Sequence, residues 1–350
     1  MAHHRVLHVG TPKTGTTYLQ GILSKNRPHL REAGWLYPGG KLNQQAAVYG
    51  ISGRDIHYVR DPQRFHALGA KLLTRLAEAS EQNVMLSAEA LALLPEPAIE
   101  SFIDRVGQPS KVLVTLRGLH KLLPSAWQQL LKAGHRESLG QYLDRMDQHR
   151  AGLDDPWRAY AFGEVVRRWA SFAPVEVVVV PTSGGDPAQL WQLFRQAAGL
   201  PDVPDLDVQA QDANLSLSAQ AARILLELNR VVAGEDFPPA RAKRLRKAYL
   251  NRAVFPLAKR DGGGSIALPS SVGTRVRAWN EEELAKVREH ASVIHGEVAD
   301  AAMPPQQVPE PQPDIDGTTA RVAARQVLAL LMETARQGEA SSVSEQVTPG

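Results

Sequence analysis

Residues 5–23 read RVLHVGTPKTGTTYLQGIL. The apolar run at 5–9 predicts a strand, and the pattern beginning at Thr16 predicts a helix. Between them lies GTPKTGTT, residues 10–17. Gly10 and Gly15 have the spacing of the phosphate-binding pattern G-x-x-x-x-G-K-[ST]. After Gly15, however, stands Thr16 where that pattern has its lysine, and the one lysine of the loop is Lys13. A glycine loop between a strand and a helix is the setting in which backbone amides gather around an anion. Glycine at both ends opens backbone conformations closed to other residues. Thr16 and Thr17 begin the helix, where N–H groups and the positive end of the helix dipole face the same anion, and Lys13 reaches over it from the loop.

Outward from this loop the chain alternates. Strand patterns at 83–87, 111–116 and 175–180 are separated by helical patterns at 62–81, 95–106, 122–132 and 158–172. The runs KVLVTL and VEVVVV are almost continuously apolar, as strands buried on both faces are. The expected class is therefore α/β, a central parallel sheet with helices on both faces. After Pro187 the pattern is mostly helical, giving a helical C-terminal half. Residues 304–317 form a proline-rich linker, 318–337 a last helix, and 338–350 a tail with a disordered composition. The last helix is open to two roles, docking on its own core or joining copies into an oligomer.

Composition bounds the function. A chain of 350 residues can bury a sizeable core without cross-links. It has no cysteine, which excludes disulfides, thiolate metal sites and cysteine nucleophiles. A net charge of +3 is too small to argue for nucleic acid, and an anionic small ligand accounts for it equally well. No segment has the length of a membrane span or the form of a secretory signal, so the expected location is cytoplasmic.

TPKTGTTYLQ resembles the 5′-phosphosulfate loop of the sulfotransferases that use 3′-phosphoadenosine 5′-phosphosulfate (PAPS), in the bacterial type of that family. There the lysine precedes Ser/Thr-Gly-Thr-Thr, as Lys13 precedes Thr14-Gly15-Thr16-Thr17. The resemblance implies a three-layer sandwich related to the P-loop kinases, a cofactor contacted by Pro12, Lys13, Thr14, Gly15, Thr16 and Thr17, and a reaction that needs no metal. It also implies that Lys13 stabilises the leaving phosphate, whose release yields adenosine 3′,5′-bisphosphate. Further stretches look similar, including REAGWLYPG, VVRRWASF, LWQLFRQAAGLP and NLSLSAQAARILLELN, so the likeness covers about residues 5–295 of an expected sulfotransferase-like domain at 1–303.

PAPS carries a 3′-phosphate, so a second anion site is expected. KVLVTLRGLHKLLPSAWQQLLKAG, residues 111–134, supplies Arg117 at a strand end and Ser125 eight residues later. Proline is favoured at the first helical position, which here places Ser125 beside Pro124 in a helix's first turn. An arginine fork and such a hydroxyl suit a dianionic phosphate. The family's Asp-Pro after the arginine is replaced by Gly118-Leu119.

An acceptor hydroxyl or amine must lose a proton as it attacks sulfur, so a base is expected. The third strand pattern ends in SAEAL, which brings Glu89 toward Lys13 and Arg117. His57, in GRDIHYVRDP, and His120 are the alternatives. Ser87 is a further expected contact to the phosphosulfate, and His8 reads as packed or hydrogen-bonded. The basic run RAKRLRK, residues 241–247, reads as a solvated helix face or as an electrostatic lip, and Lys259 and Arg260 as a closure over the 3′-phosphate. The function expected from all this is sulfuryl transfer from PAPS to a small-molecule, glycan or lipid acceptor. The rivals are a P-loop kinase or NTPase and a non-catalytic nucleotide-binding protein of the same fold.

Overall fold

The computed structural model describes residues 4–53, 62–181, 187–202, 216–235, 237–251, 266–268, 270–304 and 317–345. In chain order the elements are β1 (Arg5–Gly10), α1 (Thr16–Lys25), α2 (Arg27–Glu32), β2 (Trp35–Leu36), α3 (Gln45–Ser52), α4 (Pro62–Glu78) and β3 (Asn83–Ser87). A 3₁₀ turn (Glu89–Leu93), α5 (Glu96–Val106), β4 (Lys111–Leu116), α6 (Leu119–Ala133), α7 (Leu139–Gly152), α8 (Trp157–Tyr160), α9 (Phe162–Ala170) and β5 (Val175–Val179) follow. The last are α10 (Pro187–Ala198), α11 (Ala219–Gly234), α12 (Pro239–Tyr249), α13 (Ser270–His290), β6 (Val293–His295), α14 (Val298–Ala301) and α15 (Gly317–Glu345).

The six strands form one parallel sheet in the order β2-β3-β1-β4-β5-β6. Side chains alternate across it. Val6, Met85, Leu113 and Val178 point to one face, where they pack with Leu19, Ile22 and Leu23 of α1 and Trp191 and Phe194 of α10. Leu7, Val9, Val112, Val114, Val177 and Val179 point to the other and are equally buried, with α9 against β4 and β5 and α5 against α9. Burial on both faces is why these strands read as unbroken apolar runs. The result is the expected three-layer α/β sandwich.

The strand order positions the site. β1 has β3 on one side and β4 on the other. The chain leaves β1 toward β2 and β3 but leaves β4 toward β5 and β6, so its direction reverses between β1 and β4. A crevice opens at such a reversal, beyond the carboxyl ends of the strands. Those ends carry the loop after Gly10 and Arg117 after Leu116.

Contacts divide the chain into two compact units. The first comprises Met1–Leu122, Met146–Gln211 and Gly273–Pro304 and holds the whole sheet. The second comprises Leu123–Arg145, Asp212–Val272 and Pro305–Gly350. The stretch expected as one domain, 1–303, thus contributes to both. Within the second unit α15 packs along α11, burying Ala320, Ala324 and Leu328, and Arg321 pairs with the buried Glu227 of α11 at 3.3 Å. The last helix therefore docks on its own chain, and it runs to Glu345, past the end expected at 337.

Candidate active site

The loop after β1 is built around two left-handed residues. Gly15 caps α1 at φ 80°, a conformation that suits glycine. Lys13 adopts φ 67° without being glycine, which costs about 1–2 kcal/mol. Non-glycine residues held this way gather at functional sites. The strain is held in place by threonines. Thr11 Oγ1 donates to the Thr115 carbonyl at 2.7 Å, and Thr14 Oγ1 donates to the Thr11 carbonyl at 2.6 Å while also bonding the Thr115 hydroxyl at 2.8 Å. Both threonines are fully buried. The side chain of Thr14 thus faces the sheet, and only its backbone is left to line the loop. Thr17 is exposed at the start of α1.

Thr16 is turned inward as well, and its hydroxyl donates to Glu89 Oε1. Glu89 opens the 3₁₀ turn two residues beyond Ser87. Burial pushes its carboxyl above the ordinary glutamate range, against the opposing pull of the Thr16 hydrogen bond and the Lys13 charge. Lys13 in turn is lowered, first by burial, with the Glu89 carboxylate pulling it up and the Arg117 guanidinium pushing it further down. Lys13 therefore interacts electrostatically with both Glu89 and Arg117.

Arg117 is half-buried and its Nε has no hydrogen-bond partner among the described residues. Nor has Nδ1 of the neighbouring His120, whose pKa is lowered to about 4 by burial and by Lys121, Arg117 and Arg277. The Arg117 Nε–H, buried without a partner in a cluster of positive groups, leaves an unmet demand for an acceptor, while Nδ1 of the neutral His120 is donor or acceptor according to its tautomer. The turn that aims Arg117 is fixed by Gly118 and Asn280. A Cβ on Gly118 would lie 2.4 Å from the Ala301 carbonyl, so only glycine fits. Asn280 accepts from Leu119 N at 2.8 Å and donates to that same Ala301 carbonyl at 3.0 Å.

Ser125 requires a correction. The helix begins at Leu119, not at Pro124, and Gly118 O accepts the N–H groups of Lys121 and Leu122. Pro124 is consequently an interior residue and Ser125 stands beyond the first turn, where the free N–H groups of a helix start are absent. Asn280, capping Leu119 from 161 residues away, is what moves the start forward. Ser125 also falls in the second unit, whereas Arg117 belongs to the first.

Ser87 is corrected too. Its side chain is fully buried, 2.7 Å from His8 Nδ1, and accepts from Gln20 Nε2 at 3.0 Å. Its hydroxyl is committed to these two partners behind the loop. His8 is packed and hydrogen-bonded as expected. Its Nε2 lies 3.3 Å from Thr115 Oγ1, its ring meets Phe194 edge-on at 4.9 Å, and burial lowers its pKa to about 3.

Sequence reasoning missed the residues that hold Glu89 in place. Gln44 accepts from Ser87 N at 2.7 Å and Gln45 accepts from Ala90 N at 2.8 Å, so the start of α3 clamps both sides of Glu89. Two adjacent glutamines carry no pattern of their own, and nothing in their spacing to Glu89 signals the contact.

His57, Lys259, Arg260 and the DGGGS stretch lie outside the described residues. The basic run at 241–247 is on α12, with Arg241, Lys243, Arg244 and Lys247 exposed around a buried Leu245, a solvated helix face. Among the described residues no group of three or more histidines, aspartates and glutamates is placed to hold a metal ion, and no helix is long and apolar enough to cross a membrane. No family model, functionally described protein or solved structure matches the chain.

Proposed function

We propose that the chain is a sulfotransferase of the bacterial type, moving a sulfuryl group from PAPS to a hydroxyl or amine of a small-molecule, glycan or lipid acceptor. The observation that carries this reading is Lys13, held in a left-handed conformation inside the loop and sharing its electrostatic surroundings with Glu89 and Arg117. A kinase loop needs its lysine directly before the hydroxyl that binds the metal, and here Thr16 stands before Thr17.

The residues fit a nucleotide with two separated anionic groups. The unpartnered Arg117 Nε calls for one, and the amides around Lys13 and Gly15 suit the other. When bound, the nucleotide supplies the sulfuryl group, with the 5′-phosphate of adenosine 3′,5′-bisphosphate as the leaving group. The ammonium of Lys13 offsets negative charge developing on that phosphate. The carboxylate of Glu89, raised toward neutrality by burial, accepts the proton of the attacking hydroxyl or amine. As it does so, the Thr16 hydroxyl holds its other lone pairs in a fixed direction.

Calorimetry tests the reading. Adenosine 3′,5′-bisphosphate is expected to bind tightly without metal, and Lys13→Ala and Arg117→Ala each to lose that binding. A preference for Mg-ATP overturns the proposal in favour of a kinase or NTPase. Glu89→Gln is expected to stop transfer without stopping nucleotide binding. If Glu89→Gln and His57→Gln both transfer normally, the base is elsewhere.

A further inference from the structure

We infer that His8 is a positioning residue for the site, a neutral imidazole carrying its hydrogen on Nε2, which locks the Lys13 loop to the strand ends bearing Glu89 and Arg117.

The tautomer follows from counting hydrogens along one buried chain. Thr14 Oγ1 lies 2.6 Å from the Thr11 carbonyl, which can only accept, so the single hydroxyl hydrogen of Thr14 goes there. At the 2.8 Å contact between the Thr14 and Thr115 hydroxyls, Thr115 must then donate. With its hydrogen used, Thr115 Oγ1 is an acceptor toward His8 Nε2 at 3.3 Å, so the hydrogen between them sits on Nε2. A neutral imidazole has one N–H, which leaves Nδ1 as acceptor for the Ser87 hydroxyl at 2.7 Å. The Ser87 oxygen keeps a lone pair for Gln20 Nε2 at 3.0 Å, and Gln20 Oε1 accepts from Asn43 at 2.9 Å. Every donor along this path points the same way, from Asn43 to the Thr11 carbonyl.

The chain touches each proposed functional group at one remove. Thr14 adjoins Lys13, Ser87 precedes Glu89 by two residues, and Thr115 precedes Arg117 by two. His8 is the node, on the central strand two residues before Gly10. It is fully buried, so water cannot substitute for either of its bonds. Polar residues across this much of a sheet face forgo apolar packing, which Val6, Met85 and Leu113 supply on the same face one step earlier along the strands.

A merely structural role and a positioning role separate in one series. Removing one partner of a buried hydrogen bond is costly, while replacing all partners by apolar groups of similar shape can be nearly neutral. His8→Leu alone is expected to lower the melting temperature. The triple variant His8→Leu, Ser87→Ala, Thr115→Val is expected to recover part of it, the remainder being the Gln20 amide that loses its Ser87 acceptor. If His8 only fills the core, the triple variant also regains the wild-type titration of Glu89 followed by carbon NMR in the ligand-free protein. If His8 positions the site, that titration stays displaced and bisphosphate affinity stays reduced. The catalytic consequence rests on the sulfotransferase reading, under which transfer stays down by about 100-fold. Nitrogen NMR of wild-type protein supplies a measurement that needs no variant to fold, and a protonated Nε2 beside a bare Nδ1 is expected. A protonated Nδ1, or a triple variant with wild-type Glu89 titration, overturns the inference. Failure of the wild type to bind bisphosphate would strike the sulfotransferase reading and leave these two results to decide the role of His8.

Discussion

At the β1 end of the site Thr11, Thr14 and Thr16 all give their hydroxyl hydrogens to protein acceptors, whereas at the β4 end the Arg117 Nε–H finds none among the described residues. The first arrangement is complete without a ligand. Its hydrogen bonds hold a lysine in a conformation it would otherwise leave. The second is incomplete, and a buried N–H such as that of Arg117 Nε costs about 1–3 kcal/mol until an acceptor arrives. One end of the site thus fixes geometry in advance, and the other contributes affinity when it is filled.

The largest expected effect breaks the first end. Lys13→Gly removes the charge and relieves the left-handed strain together. Transfer should fall by roughly 10²–10³-fold, the scale of losing one preorganised electrostatic group. Folding stability should rise by about 1 kcal/mol, because glycine adopts φ 67° freely. Activity and urea denaturation on the same preparation check both signs. A loss of stability would mean that the lysine side chain holds the loop, and the threonines would lose that role.

Arg117→Ala breaks the second end and should behave in the opposite manner. Charge-assisted hydrogen bonds are worth about 1.5–3 kcal/mol. Affinity for adenosine 3′,5′-bisphosphate should therefore drop by about 10–100-fold, while adenosine 5′-phosphate, which lacks the 3′ group, should bind almost as before. The ligand-free protein should not be destabilised, since a buried nitrogen without a partner leaves with the side chain. Thr14→Val is the complementary probe. It should cost about 1 kcal/mol of stability and change affinity only in proportion to the loop's disorder. If Thr14→Val abolishes binding without affecting stability, its hydroxyl faces the ligand after all, and the contrast between the two ends is wrong.

The same contrast explains what the sequence made legible. Long apolar runs bounded by a glycine loop specify β1, β3, β4 and β5, because burial on both faces forces their composition. β2 and β6, of two and three residues, carry no periodicity and exist through pairing with β3 and β5. Lys13, Glu89 and Arg117 were legible because a charged residue just past a strand end stands out against an apolar run. Their supports were not. Gln44, Gln45 and Asn280 reach the site across 43, 45 and 161 residues of chain, and Asn280 moves the start of α6 from the position its proline indicates. Helix 158–172 was likewise expected whole, yet Ala161 turns to ψ 74° and divides it into α8 and α9.

The smallest effect is a slope. The carboxyl of Glu89 is raised by burial, so between the ordinary value of 4.5 and its higher folded value the native protein holds more protons than the unfolded chain. Stability from this group must fall as pH rises through that window. His8 has the opposite sign. Its pKa is lowered from 6.5 to about 3, so the unfolded chain holds more protons between those values and stability rises with pH. The two slopes oppose each other above 4.5, for as long as both groups are still titrating. Glu89→Gln leaves an acceptor for the Thr16 hydroxyl and removes only the titration. The variant should therefore gain stability relative to wild type as pH rises above 4.5, and its own dependence up to 6.5 should be the steeper one. Urea midpoints across that range read the difference directly. A bound anion beside Lys13 cancels the positive charge that holds the Glu89 pKa down, so bisphosphate should carry the wild-type slope to higher pH and leave that of Glu89→Gln where it was. A wild-type slope that bisphosphate does not move would separate Lys13 from Glu89 and dissolve the fixed end of the site into two unrelated residues.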